Sequence, residues 1–490
     1  TRRRRNCGYI GGSTLKGMPG FHIENFGCRA ARADGEAIAS HLRAFTEQQP
    51  FASDVVVVNT CSVTAEADRA ARACIRRAHR KNPAAKIVVT GCYAQRAPEE
   101  LAGLAGVAAV VGNSHKALVP EIILGLASDA MQTTHRPPAL VPVESLLSAN
   151  ALIAAPGKNA VWPPIWADDR FAHSFLEETP LVPGAQTRPN LKIQEGCSNR
   201  CSFCVIPSTR GPSRSLPAET VLRQVRSFVA AGGNELVLSG INLGRWGRDL
   251  QPECSAPATL AQLVRAIVER TTLPRLRLSS IEPMDWDDEL IALMGHFGAS
   301  RLALHAHLPL QSGSDAVLRR MHRRYRPWHY ADKVMALLRA AGPDLTLGTD
   351  LMVGFPGETD REFEETLAFV RSLPFGYLHL FPFSPRPGTS AWALHAESPV
   401  SLQVVNERMA ALRTLAAEKT LTHRSRFIGR ELSAVTLHTH APLATLGRTV
   451  ALTNNFIPAE IDACLPANRL VPIRATALSA DGTLCCSKIP

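Results

Sequence analysis

The chain has 490 residues, 45% hydrophobic and 20% charged, a balance that excludes general disorder and leaves room for about three cored domains. Its net charge of +11 suits a polyanionic partner such as RNA without proving one. The 33 glycines and 35 prolines exclude a collagen-like or low-complexity chain, and no apolar run reaches the roughly 18 residues of a membrane span.

The basic start, Thr1 to Arg5, runs into Gly8, Gly11 and Gly12 rather than an apolar stretch, so no signal peptide is expected. Met18 is a candidate start, and residues 1–17 read as a tail. Twelve cysteines are too few for a disulfide scaffold of this size, so a reducing, cytoplasmic setting is expected. Clustered cysteines there read as metal ligands.

Phe21–Phe26, Asp54–Asn59, Lys86–Thr90 and Val107–Val111 read as strands, and Ala33–Glu47 and Ala65–Arg80 as helices. This βαβ order predicts an open parallel sheet. The first three strands each run into a cysteine: Cys28, Cys61 and Cys92. Their spacings of 33 and 31 residues are each one strand–helix unit. Three cysteines are therefore expected together at the carboxyl edge of the sheet, where open α/β sheets bind ligands. The alternative is that they are small core residues, which is the reading kept for Cys74.

Residues 125–188 are punctuated by proline, including Pro137, Pro138, Pro142, Pro156, Pro163 and Pro164. The stretch reads as a linker or insertion with local helix near Val143–Ala151. Trp162, Trp166, Phe171 and Phe175 suggest that its second half packs on a neighbour. From Asn190 the alternation resumes. Strands are expected at Leu191–Gln194, Glu235–Ser239, Arg275–Ser280, Ala303–Pro309, Leu345–Val353 and Tyr377–Phe381, making an open, partial (βα)6 barrel. Ser401–His423 reads as one long helix, and Phe427–Pro490 as a small β-barrel module. The expected fold class is thus α/β: a parallel-sheet domain at 19–124, the proline-rich stretch at 125–188, the partial barrel at 189–425 and the β module at 426–490.

The most specific motif is the loop Cys197-Ser198-Asn199-Arg200-Cys201-Ser202-Phe203-Cys204, directly after the first barrel strand. Three soft thiolates on a tight loop suit three irons of a cubane and leave the fourth iron open. Zinc is the main alternative, but structural zinc wants four ligands and no second C-x2-C pair is near; Cys254 could be recruited only without local support.

This loop is the signature of the radical S-adenosylmethionine superfamily. Asn59 to Thr64 and Thr90 to Gln95, around Cys61 and Cys92, resemble the N-terminal domain of its methylthiotransferase family. Arg210 to Ser215, Pro309 to Ser314, Asp350 to Thr359 and Phe383 to Thr389 resemble that family's radical domain, and the C-terminal module is similar in position and size to its TRAM domain. Asn59 to Thr64, Ala67 to Arg69 and Leu278 to Pro283 most resemble the bacterial MtaB group, which acts on N6-threonylcarbamoyladenosine beside the tRNA anticodon. Relatives in the family act on isopentenyladenosine in tRNA or on a ribosomal-protein aspartate. One departure is that Ala31 and Arg32 stand where the family usually carries asparagine.

The resemblance implies two [4Fe–4S] clusters, one on Cys197, Cys201 and Cys204 and one on Cys28, Cys61 and Cys92. The first, with S-adenosylmethionine on its open iron and one electron from a reducing donor, yields a 5′-deoxyadenosyl radical. The second is linked to sulfur delivery. Gly240, Ser279, Glu282, Gln311, Ser312, Gly313 and Gly354 are expected at strand ends as cofactor contacts, or as ordinary turn residues. His305 and His307 share one face of a strand and read as barrel filling or cofactor lining rather than metal ligands. Two basic clusters, Arg69 to Lys81 and Arg319 to Arg326, are candidate phosphate contacts for a tRNA anticodon loop. A ribosomal-protein substrate and a non-enzymatic iron–sulfur RNA-binding module remain as alternatives; oligomeric state is not legible.

Overall fold

The computed structural model describes residues 8–12, 20–46, 54–127, 163–173, 187–250, 257–298 and 300–489. They divide into two compact units. The first takes in the described residues up to 173 with 195–199 and 204–213, and the second those of 187–194, 200–203 and from 214 on.

The first unit is built on a six-stranded sheet whose spatial order follows the chain. Its strands are β1 (Gly8–Gly12), β2 (Phe21–Asn25), β3 (Val55–Thr60), β4 (Lys86–Gly91), β5 (Val107–Gly112) and β6 (Ile165–Trp166). From β2 to β6 every pairing is parallel. β1 is antiparallel to β2, so part of the expected tail belongs to the sheet. β6 likewise draws part of the proline-rich stretch onto the sheet, and Trp166 packs against the core. Val143–Ala151, Trp162 and Phe175 lie outside the described residues.

Alternation along the strands explains why both faces are apolar. Val55, Val57, Val88, Ala109 and Val111 enter one core with Ile38 and Leu42, while Val58, Ile87, Val89 and Val110 enter the other with Ala71 and Ile75. Successive side chains on a strand point to opposite faces, and a parallel sheet covered on both sides needs both sets apolar. The helix Ala65–Lys81 is capped by Thr64, which accepts from the Ala67 amide, and it places Glu66 and Asp68 in its first turn and Arg80 and Lys81 in its last. That charge order complements the helix dipole. Cys74 is buried on its inner face, as expected of a core cysteine.

The second unit carries β7 (Asn190–Glu195, whose last residue groups with the first unit), β8 (Arg214–Ser215), β9 (Glu235–Gly240), β10 (Arg275–Leu278), β11 (His305–His307), β12 (Thr346–Val353) and β13 (Phe375–Pro382). They form two sheets, ordered β10-β9-β7-β8 and β11-β12-β13. A single parallel bridge, Leu276 to Leu302, links β10 to the segment leading into β11. Apart from the two-residue β8, the strands β7, β9, β10, β11, β12 and β13 therefore follow one another as an arc, the partial barrel expected from the sequence.

The long helix Leu402–Ser425 packs on β13 and leads to β14 (Glu431–Thr436), β15 (Thr449–Thr453), β16 (Pro458–Ile461), β17 (Leu470–Leu478) and β18 (Leu484–Lys488). These five close a barrel in the order β14-β15-β16-β18-β17 around Ile457, Ile461, Ile473 and Leu484. A short helix, Ala441–Ala444, interrupts the stretch expected to lack one. The module is joined to the arc by charge as well as by packing. Buried Glu235 receives Arg277 at 2.8 Å and Arg275 at 3.3 Å. The same two arginines donate onward to the Thr453 carbonyl and to Ser433 Oγ. Burial pushes the Glu235 carboxyl up, but Arg277, Arg188 and Arg275 outweigh it and hold it at about 2.

Candidate active site

In the first unit the carboxyl ends of β2, β3 and β4 deliver Cys28, Cys61 and Cys92 to one edge, with Cys28 exposed and the other two buried. Gly27 keeps this edge open: its φ is +104°, and a Cβ there would fall 2.8 Å from Cys61 Sγ. The Cys61 thiol is pushed up to about 12, first by burial and then by Cys92 and Cys28. That mutual influence places the three sulfurs in one electrostatic neighbourhood.

A buried charge network stands behind Cys92. Arg210 Nε donates to Cys92 Sγ at 3.3 Å, and its Nη1 reaches Glu195 at 2.6 Å and Asp34 at 3.2 Å. Lys116 reaches Asp34 at 2.5 Å. Asn113 Nδ2 approaches the same sulfur at 3.4 Å and donates to the Thr209 carbonyl at 2.7 Å. Arg210 and Lys116 are fully buried, so their charges persist only because the carboxylates match them. Donors on a sulfur stabilise its thiolate and lower the negative charge a cluster must carry. Behind Cys28, Asn59 Nδ2 donates to Asn25 Oδ1 and to the Ala31 carbonyl. The Ala31 position thus contributes its backbone to an asparagine pair.

The three-cysteine loop follows β7. Cys197 N–H donates to the Gly211 carbonyl. Gly196 has a φ of +70°, and a Cβ there would meet the Pro212 carbonyl at 2.0 Å, so the turn demands glycine. In the second unit, Ser202 is fixed by its amide to the Met321 carbonyl and by its hydroxyl to the Arg320 carbonyl. Arg323 Nη1 donates to Cys201 Sγ at 3.3 Å, and its Nη2 reaches both oxygens of Glu282 at 2.8 Å.

Of the expected cofactor contacts, Glu282 thus sits one guanidinium away from Cys201. Ser279 Oγ and Gln311 Oε1 are buried without a partner, and Gln311 holds a φ of +71°. Orphaned polar atoms at a strained residue suit a site that a polar ligand completes. Ser312 Oγ and the Gly313 amide are instead engaged by Thr366, and the Gly354 amide by Glu358. Gly240 ends β9 against Gln194.

Sequence reading missed Asp34, Lys116, Glu195 and Asn113, which carry no motif of their own. Arg210 stood within a quoted motif without a role. The two expected basic clusters differ in their internal ion pairs. Arg319 and Arg326 pair with Asp315, Arg320 with Glu362, and Arg323 is buried on Glu282, while Arg324 is exposed. In the helix Ala65–Lys81, by contrast, Arg76, Arg77, Arg80 and Lys81 are exposed. Cys254 lies outside the described residues.

A partial parallel barrel with a three-cysteine loop after its first strand, in a chain with a second cysteine edge, defines an iron–sulfur enzyme of the radical S-adenosylmethionine class. Residues 191–370 match the model of the radical SAM superfamily, and residues 20–112 match uncharacterised protein family UPF0004. The threonylcarbamoyladenosine tRNA methylthiotransferase MtaB of Bacillus subtilis (strain 168) is 34% identical over 89% of this chain and 88% of its own. The tRNA-2-methylthio-N(6)-dimethylallyladenosine synthase of Erythrobacter litoralis is 32% identical over 84% of each chain. The solved radical S-adenosylmethionine methyltransferase TsrM of Kitasatospora setae has a TM-score of 0.46 at 17% identity, covering 75% of this chain and 70% of its own. The chain belongs to the methylthiotransferase family of the radical S-adenosylmethionine superfamily. Among the described residues, no helix is long and apolar enough to cross a membrane.

Proposed function

We propose that this enzyme adds a methylthio group to C2 of N6-threonylcarbamoyladenosine beside the anticodon of tRNA, in the cytoplasm. The observation that carries the reading is a pair of cysteine sites, each with a buried guanidinium on one sulfur, in a chain 34% identical to an enzyme named for that substrate. Cys197, Cys201 and Cys204 hold one [4Fe–4S] cluster in this reading, and Cys28, Cys61 and Cys92 the other. A bound cluster with an open iron supplies the one-electron chemistry that cleaves S-adenosylmethionine.

The chain's own residues bind, orient and shield. Ser279 and Gln311 offer their unpartnered oxygens to S-adenosylmethionine. Glu282 holds Arg323 on the Cys201 sulfur. Gly240, Ser312, Gly313 and Gly354 shape the strand-end turns around the cofactor. Residues 19–124 carry the second cluster, 189–425 the radical chemistry and 426–490 the RNA-associated module. Arg76, Arg77, Arg80 and Lys81 supply phosphate contacts, and a reducing protein donates the electron.

Mass spectrometry of tRNA nucleosides from cells with and without the gene tests this. The methylthio form of threonylcarbamoyladenosine should vanish on deletion while its precursor accumulates. Loss of the methylthio form of dimethylallyladenosine instead would move the substrate to that of the second relative. No change in either would refute a tRNA substrate.

A further inference from the structure

One polar constellation lies outside both cysteine sites. β11, β12 and β13 bring His307, Asp350 and His379 onto neighbouring strands. Asp350 and His379 are cross-strand partners, and His307 pairs beside Gly348, two residues before Asp350. A two-residue step returns a side chain to the same face. One carboxylate oxygen, Asp350 Oδ1, lies 3.2 Å from His307 Nε2 and 3.2 Å from His379 Nδ1. One donor atom from each of the three residues falls within 4.8 Å of the others, and among the described residues no other His, Cys, Asp or Glu trio does so.

The trio has the supporting shell that orients ligands. Tyr377 Oη lies 2.9 Å from His307 Nδ1 and 2.8 Å from His305 Nε2. His305 in turn stacks with Tyr377 and lies against Phe456. A phenol on Nδ1 fixes the His307 ring and directs Nε2 at Asp350. Only one proton is available on Tyr377 Oη. When it goes to His305, His307 Nδ1–H donates to Tyr377, and its Nε2 lone pair then faces a carboxylate oxygen. Two acceptors face each other in that arrangement, which a cation would bridge; with the Tyr377 proton on His307 Nδ1 instead, His307 Nε2–H donates to Asp350.

We propose that His307, Asp350 and His379 form a binding site for one divalent first-row transition-metal ion on the wall made by β11, β12 and β13. This assigns His307 a metal-ligand role in place of the barrel-filling or cofactor-lining role expected from sequence. Two imidazoles and one carboxylate suit zinc, iron(II) or manganese(II). Bonds of about 2.0–2.2 Å to nitrogen and oxygen set ligand atoms roughly 3–4 Å apart, so contacts of 3.2 Å need only small adjustment. Burial alone would push the Asp350 carboxyl up, but hydrogen bonds from His307 and His379 hold it well below the usual carboxylate range, in the ionised form a metal requires. The site is closed on one side and open on the other: the His307 side chain is 5% exposed and that of His379 57%. The open side leaves coordination positions for water or an oxygen donor.

The test counts metal and does not depend on which nucleoside is modified. Cluster-loaded enzyme, D350N and H379A are each incubated with excess zinc chloride, desalted, and measured for zinc and iron by plasma mass spectrometry. The native enzyme should retain one zinc ion per chain more than either variant, at unchanged iron. His379 is exposed and D350N is isosteric, so unchanged iron also certifies the fold. Equal zinc in native enzyme and variants, or none in the native enzyme, overturns the site and leaves a hydrogen-bonded histidine–aspartate chain.

Discussion

The two sets of cysteines are held by opposite means. In the first, Cys28, Cys61 and Cys92 come from three strand ends separated by whole helices, so their spacing depends on the register of β2, β3 and β4. In the second, Cys201 belongs to a loop whose ligand spacing is set within eight residues of chain. Each site then places a guanidinium on one sulfur, at 3.3 Å in both cases. Arg210 is matched by Asp34 and Glu195 beside Lys116, all of them buried. Arg323 is matched by Glu282, whose side chain is 21% exposed. A site built by tertiary packing has its charge balanced within the protein, whereas one built by local sequence leaves part of that balance to water.

The largest contrast is in chemistry. Cys201→Ala should abolish S-adenosylmethionine cleavage and methylthiolation together. Cys61→Ala should keep cleavage, read as 5′-deoxyadenosine, while losing the methylthio product. Each should lose about half of the iron. Loss of cleavage in Cys61→Ala at half the iron would show that the two sites do not act separately.

The second contrast is in stability. Arg210→Met leaves Asp34, Glu195 and Lys116 buried with uneven charge, and should cost about 3–5 kcal/mol in unfolding of the cluster-loaded enzyme. Arg323→Met leaves Glu282, which can turn toward water, and should cost about 1–3 kcal/mol. Equal losses in denaturant titration would remove the distinction drawn between the two balances. Arg210→Lys keeps the charge but not the fork, and should lower the reduction potential of the first unit's cluster while that of the other stays fixed.

Much of this was legible from sequence, and the reason is periodicity. Four consecutive β-branched valines, Val55 to Val58, favour a strand covered on both faces, and three strands ending in cysteine announce a sheet-edge site. Asp34 and Lys116 were not legible, because a charged residue in a helix or turn normally faces solvent and only the tertiary fold buries these two. β1 was missed because Gly8 to Gly12 carries little side-chain pattern; its partner, rather than its composition, makes it a strand. The short β6 was hidden by the prolines around it for the same reason.

Acid should act on the second unit through His423 and, lower in the pH range, through carboxylates such as Glu235. Burial, with Arg426 and Arg424, holds the His423 imidazole down at about 4, where its ring meets Thr346 Oγ1 at 2.8 Å. An unfolded histidine takes its proton near 6.5, so the unfolded state binds more protons between those values. Stability is full above pH 6.5 and falls as pH drops toward 4, by up to about 3 kcal/mol. Glu235, held at about 2 against 4.5 unfolded, adds a further loss between pH 4.5 and 2. His423→Gln should flatten the upper part of this profile in denaturant titrations and leave the lower part unchanged. A slope between pH 6.5 and 4.5 that survives in the variant would assign it elsewhere.

The smallest effect separates two arginine-rich segments that look alike in sequence. In the helix Ala65–Lys81, Arg76, Arg77 and Arg80 are exposed. In the other, Arg319 lies 2.9 Å from Asp315 and Arg320 lies 2.7 Å from Glu362. A cation already held by a carboxylate releases few counterions when RNA arrives, because the pair must first be broken. Each alanine substitution at Arg76, Arg77 or Arg80 should therefore lower the slope of log affinity for tRNA against log salt by about 0.7. Arg319→Ala should change it little, since it removes a cation and frees its carboxylate. Filter-binding titrations across salt concentrations read both slopes. A larger change at Arg319 than at Arg76 would show that the ion pairs open on binding, and would return the second segment to the RNA surface that its sequence suggests.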